Sequence, residues 1–76
     1  MGEFSNVDWK LFEVFLIAHG CGLERIKGDH CIYVKNGLRR AIVVPKRDPL
    51  PPFIVLNNLH VLGISKEEFL NWLREN

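Results

Sequence analysis

The sequence lacks the marks of several whole classes of protein. Its two cysteines, Cys21 and Cys31, form neither a Cys-x-x-Cys pair nor a dense framework. That excludes a zinc ribbon, a dithiol redox centre and a disulfide-stapled scaffold, and the pair reads as free thiols of a reducing cytoplasm. The longest apolar run, Val14 to Ala18, is far short of the ~20 residues that cross a bilayer. No basic stretch followed by an apolar one marks a secretory signal, and Asn6 stands where a myristoylation pattern after Gly2 needs Ser or Thr. Internal repeats and low-complexity tracts are also missing. The three histidines, His19, His30 and His60, show no metal-ligand spacing.

Length is the other scarce quantity. With 76 residues, two domains would each lack a core, so residues 1–76 are expected to form one. A hydrophobic share of 47% against 25% charged is the composition of a folded chain rather than a disordered one.

The net charge of +1 hides an uneven distribution. Residues 22–47 hold seven of the ten Lys and Arg but only two of the nine Asp and Glu, a segment balance of +5, with −2 on either side. Positive charge gathered on one element attracts polyanions, whereas dispersed charge does not.

Helical spacing opens the chain. Trp9, Phe12, Phe15, Leu16 and His19 recur at i, i+3, i+4, and Leu11, Val14, Ile17 and Ala18 widen the apolar face, which predicts a largely buried helix. Ser5 or Asn6 can cap it, Asp8 suits its positive end, and Gly20 is the expected stop. Strand chemistry follows: Leu23–Lys27, a Gly28-Asp29 turn, then His30–Lys35. Asn36-Gly37 predicts a two-residue type I′ hairpin loop, with a return strand Leu38–Val44 closed by Pro45. That loop sets Lys35 opposite Leu38, Tyr33 opposite Arg40, Cys31 opposite Ile42 and His30 opposite Val43. The proline-rich Pro45–Pro52 is a surface connection, Phe53–Leu62 a second helix with Pro52 at its start, and Ser65-Lys66-Glu67-Glu68 a capping box opening a third.

The expected fold is therefore α+β, a three-stranded antiparallel sheet with helices on one face. Alternation places Cys31, Tyr33, Lys35, Arg40 and Ile42 on one sheet face and His30, Ile32, Val34, Arg39, Ala41 and Val43 on the other. The second set is the more apolar and is expected to meet the helices. The first, with an aromatic ring among cations, suits base stacking and phosphate contact. His30 then needs the sheet margin or a bulge at Gly28-Asp29 to reach solvent. His19 and His60 read as structural, and Trp9 and Trp72 as packing anchors.

Gly28-Asp29-His30-Cys31-Ile32-Tyr33 resembles the Gly-x-His-x-x-Tyr signature of the HicA toxin family. The flanks are similar in order: a helix ending in glycine before it, then a strand ending Val43-Val44-Pro45, and Leu62-Gly63-Ile64-Ser65-x-x-Glu68-Phe69 near the end. The resemblance covers nearly all of residues 7 to 70. It implies a double-stranded-RNA-binding-like fold, ribonuclease activity on messenger RNA without a metal or organic cofactor, a HicB-type antitoxin as partner, and His30 as the catalytic residue. Asp29 stands where the family usually carries Ser or Thr, and Cys31 where a second histidine is frequent.

A single imidazole suits that chemistry. Cleaving RNA through its own 2′-hydroxyl needs one proton removed and another delivered, and a group with a pKa of about 6.5 can do either near neutrality. Developing charge on phosphorus needs cations, for which Arg25, Lys27 and Arg40 are candidates. The full candidate RNA-contacting set is Arg25, Lys27, Tyr33, Lys35, Arg40 and Lys46. A non-catalytic RNA-binding domain would use the same residues without cleavage, and a protein-interaction module would instead rely on Trp72 and the apolar helix faces.

Overall fold

A computed structural model describes residues 7–75. The elements run α1 (Trp9–Ala18), β1 (Gly22–Lys27), β2 (His30–Val34), β3 (Ile42–Pro45), α2 (Pro52–Leu62) and α3 (Lys66–Glu75). The strands form one antiparallel sheet in the order β1-β2-β3. This is the α+β arrangement anticipated, with all three helices contributing to a core on one sheet face.

Local chemistry accounts for most boundaries. Asp8 is the N-cap of α1, its carboxylate accepting from the Leu11 amide at 2.7 Å, whereas Ser5 and Asn6 lie outside the described residues. Gly20 follows the helix with φ 90, a conformation that a side chain would strain. Pro52 occupies the first turn of α2, where its missing N–H costs nothing, and Gly63 ends the helix in the left-handed region. At α3 half of the capping box forms: the Glu68 amide donates to Ser65 Oγ at 3.1 Å. The Glu68 carboxylate turns instead toward His19, 3.8 Å from Nε2.

Aromatic packing locks α3 onto α1. Phe12, Phe15 and Phe69 are fully buried, with Phe69 edge-on to Phe15 at 4.7 Å and to Phe12 at 5.6 Å. Trp72 meets Phe15 at 5.1 Å. Such pairs add ~0.5–1.5 kcal/mol each beyond their area burial. The helix is less enclosed than its composition suggested, because Val14 and Ile17 remain 55% exposed.

The β2–β3 hairpin departs from expectation in three linked ways. Lys35 to Leu38 does form a turn, the Leu38 amide donating to the Lys35 carbonyl, but Gly37 alone has positive φ, so the turn is not type I′. The chain then stays irregular through Ala41, and β3 starts only at Ile42. His30 consequently pairs with Pro45 rather than Val43, a slip of two positions. Pro45, expected to close the strand, is its last paired residue.

The sheet faces are also reversed. With Lys35, Arg39, Arg40 and Ala41 outside the sheet, Cys31, Tyr33, Ile42 and Val44 form a face free of charge, and this face meets the helices. Its counterpart, which carries Arg25, Lys27 and His30, stays open. Tyr33 is thus fully buried, its hydroxyl donating to Glu13 of α1 at 2.7 Å. Both cysteines are free and buried, and burial pushes the Cys21 thiol up against the opposing pull of Lys35. The outer edge of β3 is covered by α2, where Asn58 donates to the Val43 carbonyl at 3.2 Å.

Candidate active site

Gly28 and Asp29 join β1 to β2 in a tight loop, with Gly28 at φ 63 taking the positive value that its first position uses. His30 is the first residue of β2, directly opposite Lys27 of β1 and Pro45 of β3. Opposed residues share a face, so His30 and Lys27 both belong to the open side. One row further along, Arg25, Ile32 and Val43 line up in the same way. Of the two routes to solvent, the sheet margin is the one taken, since His30 begins its strand; the bulge of this sheet lies in β1, between Leu23 and Arg25, with Glu24 as the extra residue.

His30 keeps half of its side chain exposed, and its Nδ1 lies 2.9 Å from Oδ1 of Asp29. The carboxylate accepts from Nδ1–H, which leaves Nε2 free to exchange a proton with a ligand. Beside the ring is a groove of about 250 Å³ lined by Asp29, His30, Pro45, Arg47, Pro51, Phe53 and Ile54. The proline-rich connection builds its wall because it is tied down at both ends. Trp9 N–H donates to the Arg47 carbonyl, Leu50 N–H to the Val7 carbonyl, and the Leu50 side chain is buried. Phe53, at the start of α2, is 62% exposed.

The candidate residues do not all converge. Lys27 accompanies His30, and Arg25 is nearby on the open face with Glu24 3.6 Å from its guanidinium. Tyr33 must be removed from the contact surface, since no part of its ring reaches solvent. Lys46 places its ammonium over the Trp9 ring at 5.4 Å, and Lys35 lies beside Gly20 near the end of α1. Arg40 belongs to the irregular stretch before β3, where it lines a separate hollow with Arg39, His60 and Val61.

Two groove residues escaped the sequence reading. Arg47 carries no signal that separates it from its neighbour Lys46, because nothing local shows which of two adjacent cations in a loop points to the groove. Phe53 left a usable signal. It precedes the buried Val55 by two positions, about 200° around the helix, and so falls off the face that carries Val55 and Leu59.

Strand, loop and helix end together define an α+β protein that presents a carboxylate-held histidine on a groove lined by Arg47, with Lys27 opposite the histidine in the sheet. The chain matches, over residues 9–64, the model of the family described as "HicA toxin of bacterial toxin-antitoxin", and it belongs to that family. No curated protein and no solved structure gives a match. Membership makes the chain a toxin of a toxin-antitoxin pair, with an antitoxin as its partner. Among the described residues, no helix is long and apolar enough to cross a membrane.

Proposed function

We propose that this toxin is an endoribonuclease that cleaves messenger RNA at His30. The observation that carries the reading is the half-exposed His30 imidazole, bound through Nδ1 to Asp29, opening onto a groove with Arg47 and set opposite Lys27. Free Nε2 accepts the proton of a ribose 2′-hydroxyl, whose oxygen attacks the adjacent phosphorus. The bond to the 5′-oxygen breaks, leaving a 2′,3′-cyclic phosphate and, once that oxygen takes up a proton, a 5′-hydroxyl. Lys27 and Arg47 offset the charge that builds on the non-bridging oxygens. A HicB-type antitoxin silences the toxin by covering this groove.

Incubating the purified chain with end-labelled single-stranded RNA tests the reading. Wild type is expected to yield fragments ending in cyclic phosphate, with chelator present or absent. His30→Ala should be ~10²–10⁴-fold slower while keeping its circular dichroism, as befits loss of an exposed acid-base group. Intact RNA with wild type, or equal rates for a folded His30→Ala, overturns the proposal. Salt-sensitive binding without cleavage would identify an RNA-binding domain instead.

A further inference from the structure

The β3–α2 pair has a hollow at each of its ends. One is the His30 groove, to which β3 contributes Pro45 and α2 contributes Phe53 and Ile54. The other, of about 190 Å³, is lined by Arg39 and Arg40 from the connection before β3 and by His60 and Val61 from the last turn of α2. Both arginines are exposed, and among the described residues neither has a carboxylate within ion-pair distance. They differ in this from Arg25, which has Glu24, and from Lys46, which lies over Trp9. Among the described residues, no acidic one lines the hollow. The C-terminal dipole of α2 adds about half a negative charge, which two full guanidinium charges outweigh.

We propose that Arg39, Arg40 and His60 form a second anion site, holding a backbone phosphate of the RNA strand whose scissile bond lies at His30. The inference rests on the cleavage reading for its choice of strand. The paired elements fix the spacing. Phe53 and His60 are about 10 Å apart along α2 at 1.5 Å per residue, and β3 with its four residues covers roughly 13 Å. A few nucleotides of extended strand bridge that span. Guanidinium groups suit the task because their planar forks meet phosphate oxygens in pairs, and Val61 supplies an apolar wall. The site gives length selectivity: an RNA reaching both hollows is held at two points, whereas a dinucleotide occupies only the groove.

The test uses the full chain carrying Arg39→Ala with Arg40→Ala, two exposed changes, checked for folding by circular dichroism. The ratio of kcat/KM for a long single-stranded RNA to that for a dinucleotide should fall about tenfold. Equilibrium binding of uncleaved RNA, measured with the His30→Ala background, should lose about 0.7 from the slope of log K against log salt, the value of one phosphate contact. The double lysine variant should recover most of that slope. An unchanged ratio with an unchanged slope overturns the second site, as does an equal loss on the dinucleotide. Because the slope is read without turnover, failure of wild type to cleave RNA refutes the cleavage reading and leaves this measurement decisive for the anion site.

Discussion

His30 Nδ1 lies 2.9 Å from Oδ1 of Asp29, its neighbour in sequence. The contact arises from the loop between β1 and β2, whose second residue is placed beside the first residue of the following strand. An imidazole on a strand end has rotational freedom, and the carboxylate restricts it to orientations that point Nε2 outward.

Asp29→Asn should therefore lower RNA cleavage about tenfold, mainly through kcat, because an amide can bind Nδ1 in the wrong tautomer. Both partners are substantially exposed, at 50% and 77%, so the pair contributes little to stability. Thermal melting should be unchanged within error. Steady-state kinetics on one RNA, with the melting curve alongside, checks both expectations.

Phe53 presents an aromatic face in the groove at 62% exposure. Base stacking on such a ring is worth ~1–3 kcal/mol, so Phe53→Ala should reduce kcat/KM at least fivefold, and Phe53→Trp should preserve it. Stability should move by no more than ~0.5 kcal/mol in either variant. Kinetics on a set of RNAs differing at the bases beside the cut would show whether the ring also sets preference.

Tyr33 is the chain's only tyrosine, and its burial and its hydrogen bond to Glu13 both hold the phenol above its ordinary range. A raised folded-state value means that this contribution is whole below about pH 10, where the unfolded phenol titrates. It is lost as pH climbs beyond that, since only the unfolded chain ionises easily. Denaturation midpoints should fall steeply above about pH 10 in wild type and less steeply in Tyr33→Phe. At neutral pH the variant should lose ~1–2 kcal/mol while binding RNA as wild type does. Phenolate absorbance, coming from one residue, reports the titration directly.

Asn58 is buried on α2, and its amide satisfies the outward Val43 carbonyl of β3. Asn58→Leu keeps the helix and its volume but leaves that carbonyl without its donor. Urea denaturation should show a loss of ~1–3 kcal/mol with an unchanged m-value. A variant as stable as wild type would mean that water replaces the amide.

Much of this protein was legible along the chain because it depends on local chemistry. The periodicity from Trp9 to His19, proline at the start of α2, Gly63 at its end and the Gly28-Asp29 turn each carry their own instruction within a few residues. The signature around His30 and its flanks point to the same family as the match over residues 9–64. The hairpin after Lys35 was misjudged for the same reason that it was attractive: Asn36-Gly37 dictates a turn, but not where pairing resumes beyond it. That depends on what the core accepts. Once the two arginines leave the sheet, the alternation that had made Tyr33 a surface residue buries it against Glu13.

Element types, the positions of the turns and a histidine at a strand start, beside a carboxylate and opposite Lys27, were set by the local order of the chain. These follow from torsional preferences and spacing within one segment. Which sheet face the helices cover, and that Arg47 and Phe53 line the groove beside His30 while Tyr33 is buried and Lys46 lies over Trp9, came from tertiary packing. Those outcomes depend on contacts between segments far apart in the chain, where burial of uncharged surface outweighs any local preference.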